Sequence, residues 1–272
     1  MKPIPIAVAV FACALLIPGC GPADPPEINK GIADNYQTFY DKGASDRPGA
    51  AAALQAAKKA DPANGYSDYL ESWLKVQDKD FAGALEAIKT GNGAKKVVIY
   101  VTAPPPTDSM PTLGRVRQVG FSTEKFASFP DIAPEYFSEV RKMGYRVAQA
   151  EPVCSLSVLN GAGVVRKAYQ SEIEFWKSKK DQAKVEATQR QLDAFAAWYD
   201  TFQTDLASKV ADLVEEAAKV AGMSESEKMD YAQGKPIKDS HKVEVADKKR
   251  EALYAEEINS LRKSLKTMPK PE

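Results

Sequence analysis

The sequence predicts an all-α protein, built as a helical bundle or a short α-solenoid with long antiparallel helices. Apolar residues recur at spacings of three and four along most of the chain after residue 28, which is the period of one face of an α-helix. Asp, Pro and Gly residues, which typically cap or end helices, stand at the ends of several of these patterns. The longest pattern, over residues 182–221, would make a helix of about 60 Å.

The first element is an uncharged apolar run from residue 4 to residue 17. As a helix it would be about 21 Å long, which is shorter than the roughly 30 Å hydrocarbon core of a bilayer. A short run of this kind behind a positive residue, here Lys2, is typical of a removable secretory signal. We therefore assign residues 1–19 to a signal peptide, and an uncleaved anchor is the alternative.

The end of this run, Ile17-Pro18-Gly19-Cys20, resembles the lipobox of bacterial lipoproteins. The resemblance implies cleavage between Gly19 and Cys20, with a diacylglyceryl group carried on the Cys20 thiol as a thioether. Pro18 departs from the family pattern, in which Ala or Ser is more usual. Plain secretion with cleavage after Ala23 is an alternative.

Residues 20–27 contain three prolines and no apolar cluster, which predicts an extended tether. The lipoprotein resemblance implies a cell-envelope protein whose membrane partner is reached through the lipid on Cys20. Because Gly21 follows the cysteine, the resemblance implies the outer membrane, facing the periplasm, in a cell with two membranes. In a cell with one membrane it implies the membrane exterior.

The three cysteines agree with this assignment. Cys13 falls in the signal and Cys20 at the cleavage site, so Cys154 would be the only thiol left after processing and no intramolecular disulfide could form. We interpret Cys154 as a small buried hydrophobe.

Residues 28–94 predict a first block of helices. One covers residues 28–41, a second starts at Asp46-Arg47-Pro48 and stops at Asp61-Pro62, a third covers about 65–77, and Asp80 caps a fourth.

Two stretches of this block resemble tetratricopeptide-type (TPR) repeats. AALQAAKKADPAN, residues 52–64, is similar to the end of one repeat, and DKDFAGALEAI, residues 78–88, is similar to the turn and second helix of the next. Lys79 and Phe81 depart from the usual Gly and Tyr. The resemblance implies a groove that binds a peptide or another protein. Our candidate interaction surface is Tyr66, Tyr69 and Trp73, with Trp198 from the longest helix.

Residues 95–111 predict an irregular, proline-rich joint, since a strand here would have no obvious partner. A proline-rich recognition peptide is the alternative. Residues 112–272 predict a bundle of long helices over 131–148 (after an Asp131 cap), 153–179, 182–221 and 243–266, with a hairpin turn near Lys180-Asp181. Gly161 and Gly163 indicate a kink or a close helix crossing.

The sequence offers little for catalysis. Its 37 basic and 37 acidic residues balance, which argues against nucleic acid as a partner. We found no phosphate-binding loop and no zinc-ligand spacing. We therefore predict no enzymatic activity, catalytic residue, metal or cofactor. We interpret Glu172 and Glu174 as a solvated helix face, and His241, the only histidine, as an exposed loop residue.

The function predicted from these observations is a membrane-anchored envelope lipoprotein whose helical body is an interaction scaffold or adaptor. Its partner would be another envelope protein or a peptide. The alternative is a lipoprotein that binds a small ligand or a lipid in a pocket between the long helices.

Overall fold

The computed structural model describes residues 30–43, 45–100, 111–233 and 235–271. The predicted signal peptide, lipobox and tether lie outside these ranges. The described residues form eleven α-helices and no strands, which confirms the all-α prediction. The helices are α1 Lys30–Lys42, α2 Arg47–Ala60, α3 Tyr66–Gln77, α4 Phe81–Gly93, α5 Pro111–Phe121, α6 Thr123–Phe126, α7 Ala133–Ala148, α8 Ser155–Ser178, α9 Gln182–Val220, α10 Glu225–Ala232 and α11 Ser240–Lys266.

The first four helices pack as two hairpins, α1 against α2 and α3 against α4. Aspartates begin the second helix of each hairpin, as the sequence predicted. The Asp46 carboxylate accepts a hydrogen bond from the Gly49 N–H, and the Asp80 carboxylate accepts one from the Gly83 N–H, each at 2.9 Å. These caps satisfy N–H groups that a helix cannot pair internally.

The segment after α4 is irregular, as predicted, but its backbone is paired on both sides. The Gly65 N–H donates to the Lys96 carbonyl at 3.0 Å, and the Ile99 N–H donates to the Glu151 carbonyl at 2.8 Å. The buried Asn64 side chain also bonds to both the N–H and the carbonyl of Val98. The expectation that this segment lacks a pairing partner was therefore wrong. Residues 101–110 of the predicted joint lie outside the described ranges.

Helices α7 and α8 cross closely at glycines. A Cβ placed on Gly161 would lie 2.4 Å from the carbonyl oxygen of Gly144 and 2.4 Å from the amide nitrogen of Ala148, both on α7. A Cβ on Gly163 would meet nothing within 4 Å. The structure thus selects a close crossing at Gly161 from the two predicted alternatives.

The predicted hairpin between the long helices is also present. The turn has Lys180 at φ +58°, and Asp181 caps α9 by accepting from the Lys184 N–H at 3.1 Å. Helix α9 has 39 residues and ends just before Gly222, which has φ +65°. A positive φ at this position is the usual way to end a helix.

Several boundary predictions were wrong. Helix α7 starts at Ala133 with Ile132 at the N-cap, and no side-chain cap is made there, so Asp131 is not the cap. Helices α5, α6 and α10 lie where no helix was predicted. Helix α5 contains two glycines, Gly114 and Gly120, which obscure its helical pattern in the sequence. Its buried residues Leu113, Val116 and Val119 nevertheless recur at every third position.

The buried residues form two cores. The first runs from Ile32 to Phe175 and includes residues on both sides of 101–110, so α1–α4 share it with α5, α7 and α8. The second joins α8 and α9 to the C-terminal helix α11. Within the described ranges, none of the helices has the length and apolarity needed to cross a bilayer.

Candidate functional site

Three members of the predicted interaction surface lie in the core. Tyr66 and Tyr69 are 0% exposed and Trp73 is 3% exposed, so this prediction was wrong for all three. The Tyr66 hydroxyl donates to Thr112 Oγ1, the Tyr69 hydroxyl to Asn92 Oδ1, and the Trp73 indole N–H to Gln118 Oε1. Burial raises the pKa of both tyrosine hydroxyls. The helical period correctly grouped these aromatics, but the face they share is the buried one.

Trp198 is half-buried on α9. Its ring stacks on Phe202 with centroids 5.3 Å apart, and its indole N–H donates to the Ser264 carbonyl at 3.2 Å. The residue therefore joins α9 to α11. Its participation in a binding surface stays a prediction.

A groove lies instead between α2 and α3. Its cavity volume is about 270 Å³. Buried Leu54 and Leu74 form its apolar floor, and the small, exposed Ala51 also lines it. We call this the α2–α3 groove, and its lining residues are Arg47, Ala51, Leu54, Gln55, Glu71, Leu74, Lys75, Asp78 and Asp80.

Most charged side chains on the rim of the groove form an ion pair with a neighbour. Lys75 pairs with Asp80 at 3.0 Å. Lys58 lies between two carboxylates, at 2.6 Å from Asp68 and in contact with Glu71. Burial acts to lower the pKa of Lys58, but the hydrogen bonds to Asp68 and Glu71 outweigh it, so the net pKa is raised. These side chains are held in place before any ligand arrives.

Two arginines lie close to Trp73, and neither makes an ion pair among the described residues: Arg47 lines the groove, and Arg115 is on α5. The Arg47 guanidinium lies 5.3 Å from the centre of the Trp73 ring, and the Arg115 guanidinium lies 4.4 Å from it. Arg115 also lies 5.0 Å from the Tyr40 ring. We name Arg47, Trp73 and Arg115 the arginine–tryptophan cluster. It brings together residues from α2, α3 and α5.

The cluster has unused hydrogen-bonding capacity. Arg47 Nη1 and Arg115 Nε are buried atoms with no hydrogen-bond acceptor, and neither arginine has a carboxylate within ion-pair distance among the described residues. A buried donor without an acceptor costs about 1–3 kcal/mol. Stacking on an aromatic ring offsets part of this cost by about 0.5–2 kcal/mol. The sequence analysis missed this site, since Arg47 was interpreted only as part of a helix start and nothing marked Arg115.

A second polar cluster lies inside the first core. Glu172 on α8 contacts Arg141 on α7 and accepts from the Trp176 indole N–H at 3.1 Å. The guanidinium of Arg141 also lies 4.6 Å from the Tyr169 ring. The interpretation of Glu172 as solvated was therefore wrong, while Glu174 is solvated as predicted. These side chains join two helices and line no described cavity.

Cys154 is buried, as predicted, and its sulfur accepts from the Ser157 N–H at the start of α8. In the structure Cys154 is disulfide-bonded, and the other two cysteines of the chain, Cys13 and Cys20, lie outside the described ranges. The prediction of no intramolecular disulfide concerned the chain after removal of residues 1–19 and lipidation of Cys20, and for that processed chain it stays a prediction.

His241 is exposed, as predicted, but it lies in the first turn of α11 and not in a loop. Across the part of the chain that the structure describes, no group of three His, Cys, Asp or Glu side chains is arranged to hold a metal ion. No protein-family model, curated protein or solved structure matches this chain.

Proposed function

We propose that this chain is a lipid-anchored protein of the cell envelope whose helical body is a protein-interaction scaffold or adaptor. The observation that carries the proposal is the α2–α3 groove, with its apolar floor and ordered charged rim. Its volume of about 270 Å³ suits a few anchoring side chains of a peptide or helix. Grooves between helices commonly bind partners through such anchors.

The sequence around Cys20 supports the membrane part of the proposal. Ile17-Pro18-Gly19-Cys20 provides a lipidation site, and residues 20–27 provide a proline-rich spacer. An extended spacer of this composition spans roughly 25 Å at about 3.1 Å per residue. A body that starts at Lys30 would then hold its groove close to the membrane surface.

The packing of the long helices favours a scaffold over a small-ligand carrier. Phe195, Trp198 and Phe202 pack against one another on α9, and Val210 and Val214 continue the same buried face. The α2–α3 groove is lined by residues of α2, α3 and the loop that follows α3, and by none of the long helices. The groove is therefore the better supported site.

Site-specific photocrosslinking in cells tests the proposal. A photoreactive amino acid at Gln55, an exposed residue in the groove, is expected to give one reproducible cross-linked protein. The same group at Gln189, exposed on α9, is the control and is expected to give none. The proposal fails if Gln55 and Gln189 give the same pattern.

Blocking the groove with a larger side chain is a second test of the proposed function. Ala51 and Ala52 are adjacent exposed residues of α2, but only Ala51 lines the groove. Ala51→Phe is expected to abolish the Gln55 cross-link, since the ring occupies the space above Leu54 and Leu74. Ala52→Phe is expected to leave the cross-link intact. Equal effects of the two substitutions would contradict the proposed role of the groove.

A further inference from the structure

We propose that the α2–α3 groove binds a basic amphipathic helix of its partner, with apolar side chains on Leu54 and Leu74 and with Lys or Arg side chains facing Glu71 and Asp78. This inference rests on the proposed scaffold function and specifies the chemistry of the partner. It follows from the charges that line the groove, from their spacing along α3 and from the apolar floor.

The first step is the balance of charge in the groove. Three carboxylates but only two cations line it, namely Glu71, Asp78, Asp80, Arg47 and Lys75. The lining therefore carries one negative charge in excess. Lys58 and Asp68, which lie beside the lining, form an ion pair at 2.6 Å and leave this excess unchanged.

The second step identifies the carboxylates that keep the excess charge. Asp80 pairs with Lys75 at 3.0 Å. Asp78 is exposed and has no ion pair within the described part of the chain. Glu71 shares Lys58 with a second carboxylate. Asp78 and Glu71 are therefore the two groups that a cationic side chain of a partner would neutralise.

Arg47 is the cation that offsets part of this negative charge. Its guanidinium lies against the aromatic ring of the arginine–tryptophan cluster, and its Nη1 atom is buried. Lys75 shows that the carboxylates act together, because its pKa is raised, chiefly by the hydrogen bond to Asp80 and further by the charges of Glu71 and Asp78. A cation placed among these side chains is thus stabilised.

The third step is the spacing of the unbalanced carboxylates. Glu71, Leu74 and Asp78 occupy positions i, i+3 and i+7 along α3 and its C-cap, so they share one face of the helix. At 1.5 Å per residue, Glu71 and Asp78 are about 10 Å apart along the helix axis. A partner helix that lies along α3 matches them with basic residues seven positions apart and with apolar residues between them.

The fourth step separates a helix from a small cation. The floor of the groove is formed by buried Leu54 and Leu74, which a solvated metal ion would not use. A basic amphipathic helix uses both the floor and the carboxylates. We therefore commit to a helix of another protein, and a second copy of this chain is an outcome of the test.

The test measures binding of synthetic helical peptides to the full chain, purified in detergent, by fluorescence anisotropy, with detergent alone as the background. Each peptide has Leu at positions i+3 and i+4, and positions i and i+7 are both Arg, both Gln or both Glu. These three residues have similar helix propensities, so the peptides differ in charge. We expect the Arg peptide to bind about fivefold more tightly than the Gln peptide, and the Glu peptide to bind most weakly. Salt at about 1 M should remove the difference.

Substitutions in the groove locate the effect. Asp78→Asn is expected to lower the preference for Arg to about twofold, since one of the two charge pairs is lost. Arg47→Gln is expected to increase the preference, because it removes the opposing cation. Asp131→Asn is the matched control and should change nothing, since Asp131 is also an exposed aspartate without an ion pair among the described residues but does not line the groove. Ala51→Phe should abolish binding of all three peptides.

Thermal unfolding of each variant by circular dichroism establishes that the fold is retained. The inference is overturned if the Gln or the Glu peptide binds as tightly as the Arg peptide, or if Asp131→Asn has as large an effect as Asp78→Asn. It is also overturned if a folded Arg47→Gln variant binds the Arg peptide more weakly, or if the Arg peptide still binds after Ala51→Phe.

The Gln55 cross-link separates this inference from the proposed function. A cross-link from Gln55 to a second copy of this chain would overturn the inference. If Gln55 cross-links to another protein while the peptides show no preference for Arg, the scaffold function stands and only the basic-partner inference fails. If the Gln55 cross-link is absent in the wild-type chain, the proposed function itself fails.

Discussion

Trp73 shows how one side chain organises the candidate site. It packs edge-on against Phe39 with ring centroids 5.8 Å apart, donates to Gln118, and carries the guanidinium groups of Arg47 and Arg115. These contacts join four helices. The residue predicted as a contact for a partner is instead a buried support for two arginines.

Glu172 and Glu174 provide a matched test of burial. Glu172→Gln removes the carboxylate that contacts the buried guanidinium of Arg141, and we expect a loss of about 3–5 kcal/mol in the free energy of unfolding. Glu174→Gln affects an exposed carboxylate that pairs with exposed Lys177, and the expected change is below about 0.5 kcal/mol. Urea denaturation measures both. Similar losses for the two variants would contradict the buried role of Glu172.

At the scale of elements, the close crossing of α7 and α8 depends on the absence of a side chain at Gly161. Gly161→Ala is expected to destabilise the protein by about 1–3 kcal/mol or more, because its Cβ would collide with the α7 backbone at Gly144 and Ala148. Gly163→Ala is expected to stabilise it by about 0.5–1 kcal/mol, since the new methyl group meets nothing within 4 Å. Thermal or urea unfolding of both variants measures the contrast. A stabilising Gly161→Ala change would show that the helices are farther apart.

The contact between α10 and α11 predicts a pH dependence. Hydrogen bonds from Lys242 and from Ser224 lower the pKa of Glu227 from 4.5 to about 2. Because the folded-state pKa is lowered, this contact stabilises the fold above about pH 4.5 and is lost as the pH falls through about 2. An NMR titration of the Glu227 carboxyl carbon should show the low midpoint. Lys242→Met should raise it, although the Ser224 bonds remain, and a wild-type midpoint near 4.5 would contradict the contact.

The sequence predicted those elements whose signals are local. Asp46 and the Asp61-Pro62 pair mark the ends of α2, and the regular apolar period of residues 182–221 marks α9. The burial of Glu172 could not be predicted, because it depends on where α7 places Arg141. The arginine–tryptophan cluster was missed for the same reason, since its three members come from helices far apart in the sequence.

At the scale of the whole molecule, the first core unites the two blocks that the sequence suggested. Tyr66 of α3 bonds to Thr112, and Trp73 bonds to Gln118, both on α5. The core residues of α1–α4 also belong to the same cluster as those of α7 and α8. The helices of residues 28–94 thus bury much of their apolar surface against the rest of the chain.

A fragment of residues 28–94 is therefore expected to be unfolded or only partly helical on its own. It would expose Tyr66 and Trp73, which the full chain buries, and apolar surface left in water forfeits about 25 cal/mol per Å². Circular dichroism and limited proteolysis of the fragment, with the full chain as control, measure this. A cooperative unfolding transition in the fragment would show that the first block is an independent domain.

The lipid anchor is the claim on which the compartment and the type of partner both depend, and the mass of the mature N-terminal peptide tests it most directly. Mass spectrometry of protein isolated from membranes is predicted to find a chain that begins at Cys20 and carries a thioether-linked diacylglyceryl group. Cys20→Ser should then abolish the modification. An unmodified Cys20, a chain that still begins at Met1, or a peptide in which Cys20 is disulfide-linked to Cys154 would contradict the account.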